Sequence, residues 1–330
     1  MKVIFITGSY PPDICGVGDY TYKLVSNFKK GIDIQVEKFD NCTLLKFMYL
    51  IKKLVLLKPN IIHIQYPTEG YGYSIYPQLL SLFFFNKLFV TIHEFSSKSI
   101  IGKLSIYLYF IFSKKVIFTT EQEFKYCSKL APFLINKAII INIGSNIPLI
   151  ESNSNKEWDV VYFGHIRPMK GIEDFLKLAE HSKLSGKNFR YLLIGQNLKR
   201  YQEYFEMVKD KCIKFNVEIK ISLQEYDVAI NLSKSKFAYL TFPDGLTLRR
   251  GSFLAAFGNR CRIISNRSQN SEAILNNIVL WSTSYMDAYN IIISNKGIEF
   301  NDILYNKILN SLRWENIAIE HLNQYQNILK

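Results

Sequence analysis

Short runs of β-branched and aromatic residues alternate with segments of helical periodicity from one end of this 330-residue chain to the other. Parallel strands need a crossover between them, usually a helix, so this alternation predicts an α/β protein. The strand-like runs are Val3 to Thr7, Ile32 to Lys38, Ile61 to Gln65, Leu88 to His93, Val116 to Thr119 and Ala138 to Asn142. A second series covers Trp158 to Phe163, Phe189 to Ile194, Asn216 to Ile219, Lys236 to Thr241, Cys261 to Ser265 and Ile278 to Trp281. Between the two series lies ESNSNKE, residues 151–157, which has no apolar member and reads as a linker. The expected organisation is a first domain over 1–150, the linker, a second domain over 158–312 and a closing helix over 313–330. Thr21, Leu24, Val25 and Phe28 share one stripe of a helix expected to close at Gly31, a C′ glycine.

A hydrophobic content of 48% with 21% charged residues excludes a disordered chain, and the length allows two cores. Five cysteines without a C-x-x-C pair make neither a disulfide nor a zinc framework, which fits a reducing cytoplasm. The first apolar run, Val3 to Thr7, is too short for a signal-peptide core. No apolar stretch reaches the roughly 20 residues of a spanning helix, so no membrane crossing is expected. The net charge is +13, with 17 Lys+Arg against 9 Asp+Glu in residues 1–150 and 24 against 19 thereafter. A basic surface attracts nucleic acid, anionic lipid or phosphorylated ligands alike. All nine arginines follow residue 166, and their planar forks suit phosphate, so anion chemistry is expected mostly in the second domain. Nucleic acid is not expected as a partner, because no aromatic-basic RNA motif accompanies the charge.

Four segments carry candidate chemistry. Gly16-Val17-Gly18 precedes a helix, where glycines admit a ligand to the backbone and free amides attract an anion; a tight turn explains a bare G-x-G equally well. Thr21 stands where the dinucleotide fingerprint needs its third glycine. FGHIRPMKG, residues 163–171, places cations on a strand-to-helix loop, suited to a diphosphate or simply to solvent. FPDGLTLRRGS, residues 242–252, offers Asp244 to hydroxyl groups and the following amides to an anion, although Asp-Gly is also a common turn. His63, Gln65 and His93 stand at the carboxyl ends of strands, the edge at which open α/β sheets bind ligands.

Taken together, PPDICGVGDYT, HIQYP, TIHEF, YFGHIRPMKGIEDFL, LIGQ and FPDGLTLRRGS, in this order and at these separations, resemble the retaining nucleotide-sugar glycosyltransferases of family 4 (glycosyl transferases group 1). The closing RWENIAIEHLNQYQNIL is similar to the helix that in this group returns to the first domain. The resemblance implies the GT-B fold, two Rossmann-like domains with parallel sheets facing a central cleft. The donor nucleotide would be held by the second domain and the acceptor by the first. Carried over by position, the amides of Gly16 and Val17 would approach the donor diphosphate and His93 the donor sugar. Lys170, with Arg167 or His165 beside Gly164, would neutralise the diphosphate. Asp244 would meet sugar hydroxyls, the amides after Gly245 at Leu246 and Thr247 would complete a phosphate cradle, and Ser252 would lie near the ribose. His93, Lys170 and Asp244 are the expected catalytic set, and Tyr10, Asp19, His63 and Gln65 the expected acceptor contacts.

The family commonly has Arg where His165 stands, and two glutamates where Asp244 and Ser252 stand. A subgroup carries the same Asp-Gly and Arg-Arg-Gly run, so these departures read as subfamily chemistry. The reaction implied is hexosyl transfer (EC 2.4) from a UDP- or GDP-linked sugar, with no cofactor. No D-x-D string occurs, so metal-independent transfer is expected. The acceptor would be a glycan or polyprenyl-linked molecule in surface polysaccharide (O-antigen or capsule) or glycolipid synthesis. CTLLKFMYLIKKLVLLK, residues 42–58, and residues 104–115 combine apolar surface with lysines, as core helices or as interfacial helices would. Peripheral attachment to the cytoplasmic membrane face is the expectation. The competing readings are a non-catalytic GT-B nucleotide binder and an NAD-dependent oxidoreductase, the latter disfavoured by Thr21.

Overall fold

A computed structural model describes residues 1–13, 15–150, 155–294 and 302–329, so most of the expected linker lies outside the described residues. The chain divides into two compact units, one of Met1–Gly144 with Ser311–Lys330, the other of Ser145–Asn310. The first unit contains β1 (Lys2–Thr7), α1 (Gly16–Ser26), β2 (Asp33–Lys38), α2 (Leu44–Leu57), β3 (Ile61–Tyr66), α3 (Tyr76–Phe84), β4 (Leu88–Ile92), α4 (Ile100–Phe112), β5 (Lys115–Phe118), α5 (Glu121–Leu130) and β6 (Ala138–Ile140). Its six strands run parallel in the order β2-β1-β3-β4-β5-β6. The order reverses between β1 and β3, which makes their carboxyl ends the switch point of the sheet.

In the second unit follow β7 (Trp158–Ile166), α6 (Ile172–Leu184), β8 (Tyr191–Asn197), α7 (Gln202–Phe215), β9 (Val217–Ile221), α8 (Glu225–Ser233), β10 (Ser235–Leu240), α9 (Gly251–Gly258), β11 (Arg262–Ser265), β12 (Val279–Trp281), α10 (Tyr285–Ile293) and most of α11 (Asp302–Ser311). The sheet order is β12-β11-β10-β7-β8-β9, all parallel. This is the Rossmann order 3-2-1-4-5-6, with its switch point between β7 and β10.

The central strands are apolar on both faces because helices cover both. In the first unit, Ile4, Ile6, Ile62, Ile64, Val90 and Ile92 face α2, α3 and α4. Val3, Phe5, Ile61 and Phe89 face α1 and the closing helix α12 (Trp314–Leu329). The Trp314 ring is buried 5.2 Å from that of Tyr20, and a Cβ on Gly144 would meet it at 2.6 Å. Trp314→Ala should therefore cost about 3–5 kcal/mol. A urea titration reads this as a lower unfolding midpoint, and an unchanged midpoint would mean that α12 is not docked.

Three local expectations are corrected. Helix α1 ends at Ser26, because the Asn27 side chain donates to the Lys23 carbonyl at 2.7 Å and the Asn27 amide to Leu24. Gly31, at φ +102°, serves the turn into β2 instead. The amides after Gly245, expected to be offered to an anion, are partly drawn off, Leu246 to Asn266 O and Leu248 to Glu272 Oε2, and the helix that follows starts only at Gly251. Residues 145–150, expected in the first domain, belong to the second unit, where Asn259 accepts from the Ile150 amide and donates to Pro148 O.

Candidate functional site

At the switch point of the second sheet, the loops after β7, β8, β9 and β10 surround a cavity of about 640 Å³. That volume lies in the range of small-molecule sites. Gly164, His165, Lys170 and Ser252, four of the residues singled out from sequence, line it. Arg249, Arg250, Gln196, Glu225 and Asn146 also line it and were given no role from sequence. The first two stood in the quoted LTLRRGS run, and adjacent arginines on a strand-to-helix loop were the signal that could have found them. Asn146 carries no local signal, and it belongs to the second unit, not to the first.

The β7–α6 loop is shaped by two left-handed residues, Met169 at φ +62° and Gly171 at φ +82°. A Cβ on Gly171 would lie 2.4 Å from Thr241 O, so only glycine fits there. Below, the Tyr162 hydroxyl donates to Lys170 O at 2.9 Å and holds the lysine at the cavity wall. Burial, then the repulsion of Arg167 and Arg250, lowers the Lys170 pKa. Burial, then Lys170, Arg167 and Arg200, lowers that of His165, which favours the neutral imidazole. Arg249 and Arg250 pair with Asp244, whose charge also reaches Lys170.

Asp244 is half exposed, accepts from Arg250 Nη2 and lies 3.9 Å from Arg249 Nη2. It is not among the residues lining the cavity, nor are Arg167, Gly245, Leu246 and Thr247. Gly245 turns the chain at φ +79° against Ser268. The Leu246 amide donates to Asn266 O and so is spent within the loop. Arg250 Nε and Thr247 Oγ1 are buried with no hydrogen-bond partner among the described residues. A buried donor left unpaired is costly and marks a place where a ligand or water belongs. Among the described residues, no side chain caps α6 or α9, leaving their first-turn amides available to an anion.

In the first unit, Gly16 and Val17 open α1, which likewise has no side-chain cap among the described residues. Gly18 allows Ser9 O to approach, for a Cβ there would lie 3.0 Å from it. Tyr10 packs edge-on to Tyr22 and its amide donates to Asp13, while Asp19 lies in the first turn of α1. His93 is half-buried, hydrogen-bonded through Nε2 to Gln65 Oε1 at 2.9 Å, with Tyr20 edge-on at 4.6 Å.

His63 and Gln65, the other expected acceptor contacts, lie inside the first unit. Both are fully buried, because β3 is covered on both faces. His63 bonds Tyr325 of α12 through Nδ1 at 2.5 Å and Thr91 through Nε2 at 2.8 Å. Beside it His321 bonds the Tyr20 hydroxyl at 3.0 Å. Burial pushes the His63 pKa well down and takes His93 and His321 to about 3, so all three are neutral. No group of three or more His, Cys, Asp or Glu among the described residues is placed to hold a metal ion.

No protein-family model matches the chain, and no curated protein matches it in sequence. Solved structures do. A glycosyltransferase from Rickettsia africae superimposes with a TM-score of 0.73 at 12% identity, over 100% of this chain and 98% of its own. Anabaena Alr3699/HepE in complex with UDP and glucose superimposes with a TM-score of 0.61 at 15% identity, over 100% and 98%. The fold is GT-B. The catalytic domain of Arabidopsis thaliana starch synthase IV bound to ADP and acarbose shares this GT-B architecture, with a TM-score of 0.58 at 11% identity over 100% and 99% of the two chains. In GT-B terms, the cavity described above belongs to the second Rossmann-like unit and the His93 edge to the first.

Proposed function

We propose that the protein is a glycosyltransferase that moves a sugar from a nucleoside-diphosphate sugar to a glycan or lipid-linked acceptor with retention at the anomeric carbon. The observation that carries this reading is the cavity at the β7/β10 switch point, walled by Lys170, Arg249 and Arg250, with Arg250 Nε buried and unpaired among the described residues. Such a site wants a multiply charged anion attached to a body large enough to fill the remaining volume. UDP and ADP in two of the solved structures of the same fold fit that description.

As the bond between sugar and diphosphate breaks, negative charge builds on the leaving oxygen. Lys170, Arg249 and Arg250 with the α6 and α9 amides would stabilise that charge, and this is the main catalytic contribution proposed. The leaving oxygen itself would take the proton of the acceptor hydroxyl on the same face. Asp244 would be shared between Arg250 and a sugar hydroxyl, and Ser252 would contact the ribose. His93 would meet the donor sugar as a neutral imidazole. Tyr10 and Asp19 remain the proposed acceptor contacts. Transfer without a metal, in surface polysaccharide or glycolipid synthesis at the cytoplasmic membrane face, completes the proposal.

Thermal unfolding in the presence of UDP, GDP, ADP, CMP and NAD, first without and then with magnesium, tests it. One nucleoside diphosphate at about 100 times its Kd should stabilise the protein by about 2.7 kcal/mol without metal. Stabilisation by NAD alone would replace the reading with an oxidoreductase. A nucleoside diphosphate that stabilises without any sugar turnover would leave a non-catalytic binder.

A further inference from the structure

The second unit holds another cavity, of about 370 Å³, between the N-termini of α6 and α10 and the carboxyl ends of β10 and β12. Phe242 lines both cavities, and the β7–α6 loop divides its residues between them: Lys170 belongs to the first, Met169 and Gly171 to the second. The Asn266 side chain fixes the common wall, accepting from the Phe242 amide at 2.8 Å and donating to the Phe242 carbonyl at 2.7 Å. Nothing in the proposed transfer uses the second cavity.

Its lining is opposite in sign to that of the first. No Lys, Arg or His is among the residues that line it, whereas Glu173 and Asp174, in the first turn of α6, are. An anion is therefore repelled. Glu173 accepts from the Tyr204 hydroxyl at 2.5 Å and Asp174 from Thr241 Oγ1 at 3.2 Å, and each carboxylate keeps lone pairs for a further donor. Hydroxyl groups supply most of the remaining polar lining. Ser282, directly after β12, is 3% exposed, and its Oγ, beside the Tyr239 hydroxyl, completes a hydrogen bond with no partner among the described residues. A buried hydroxyl left in this way is costly and marks a place for a ligand or water. Burial, then the charge of Asp174, pushes the Tyr239 pKa up, so that hydroxyl stays protonated. Ser284 caps α10 by accepting from the Asp287 amide at 3.2 Å and retains its own proton. Met169, Phe242 and Pro243 add an apolar wall.

We infer that this second cavity is a binding site for a neutral saccharide, held by Asp174 and Ser282. Carboxylates accept the sugar hydroxyls, in hydrogen bonds strengthened by their charge, while Ser282, Ser284 and Tyr239 accept or donate as the ring requires. The C–H face of the ring packs on Phe242 and Pro243, which removes apolar surface from water. The volume lies within the range of small-molecule sites. The inference goes beyond the transfer proposed above, whose contacts are other residues, and does not depend on it.

Ligand-observed NMR titration of the full chain with glucose, galactose, mannose and N-acetylglucosamine tests it, each sugar alone and with saturating UDP. At least one sugar should bind, and should stay bound when UDP is present. Ser282→Ala should weaken that binding about fivefold and Asp174→Asn about tenfold or more. Without sugar, the urea midpoint of Ser282→Ala should be unchanged or higher, because the variant removes a hydroxyl that has no partner. Binding of none of the four sugars, release of the sugar by UDP, wild-type affinity in both variants, or a lower midpoint for Ser282→Ala would each overturn the inference. Choline, run alongside, should not bind; choline bound where no sugar binds would assign the carboxylates to a cation instead. Stabilisation by UDP, measured on the same proteins, reports separately on the transferase reading.

Discussion

Lys170→Ala is expected to lower kcat/KM for sugar transfer by about 100- to 1,000-fold, the loss seen when one preorganised charge donor is taken from a developing anion. Most of the loss should fall in kcat, because charge on the leaving diphosphate grows towards the transition state. Unfolding without ligand should be unchanged or slightly harder. The reason is that burial, Arg167 and Arg250 already disfavour the charged lysine in the free protein. Stabilisation by the cognate nucleoside diphosphate should shrink in the same variant. Steady-state kinetics and thermal shifts read both, and wild-type transfer by Lys170→Ala would remove the proposed site. Tyr162→Phe, which releases Lys170 O without touching the charge, should give a smaller loss in kcat.

Acid should unfold the first unit well above the range in which carboxylates titrate. An unfolded histidine has a pKa near 6.5. In the fold His321 is held at about 3 by burial, so between these values the unfolded chain binds a proton that the folded chain does not. Stability then rises with pH across that window and is lost as pH falls through it. At pH 5 the loss from His321 alone is about 2 kcal/mol, at 1.36 kcal/mol for each of about 1.5 pH units. His63 and His93 are depressed in the same direction and add to it. Urea midpoints at pH 7, 6 and 5 should fall steadily, and His321→Gln should flatten that fall whatever its own stability. A midpoint that does not move between pH 7 and 5 would contradict a neutral, buried histidine cluster.

Much of the architecture was legible because strands and helices announce themselves locally. The run Leu88 to His93 reads as a strand and β4 is Leu88–Ile92; the closing helix is expected over 313–330 and α12 is Trp314–Leu329. Period-two and period-3.6 patterns need only neighbours to be read. Errors arose where a hydrogen bond that no periodicity announces intervened, whether from a neighbour in the chain or from far along it. Glycine at position 31 looked like a helix stop, yet Asn27 stopped the helix first. The amides after Gly245 looked free for an anion, yet Asn266 and Glu272 claim those of Leu246 and Leu248.

The cationic part of the candidate site was legible for a similar reason. His165 and Lys170 sit in one strand-to-helix loop, and the parallel topology carries every such loop to the same edge of the sheet. Which of the cations wall the cavity was not legible, because Arg249 and Arg250 reach it only through the folded course of residues 242–250. For His63 and Gln65 the strand end was legible and the burial was not. His63 is closed off by α12, whose Tyr325 lies 262 residues away in sequence.

By itself, the sequence determined the alternation of strands and helices, their grouping into two parallel units and the basic loops at the strand ends, since each depends on contacts between near neighbours. Only the tertiary structure decided that His63, His93 and His321 form a neutral cluster, that Asp244 is held by Arg250, and that Ser282 is enclosed at a second cavity. Burial and pairing are properties of what the rest of the chain brings alongside a residue, and no local pattern encodes them.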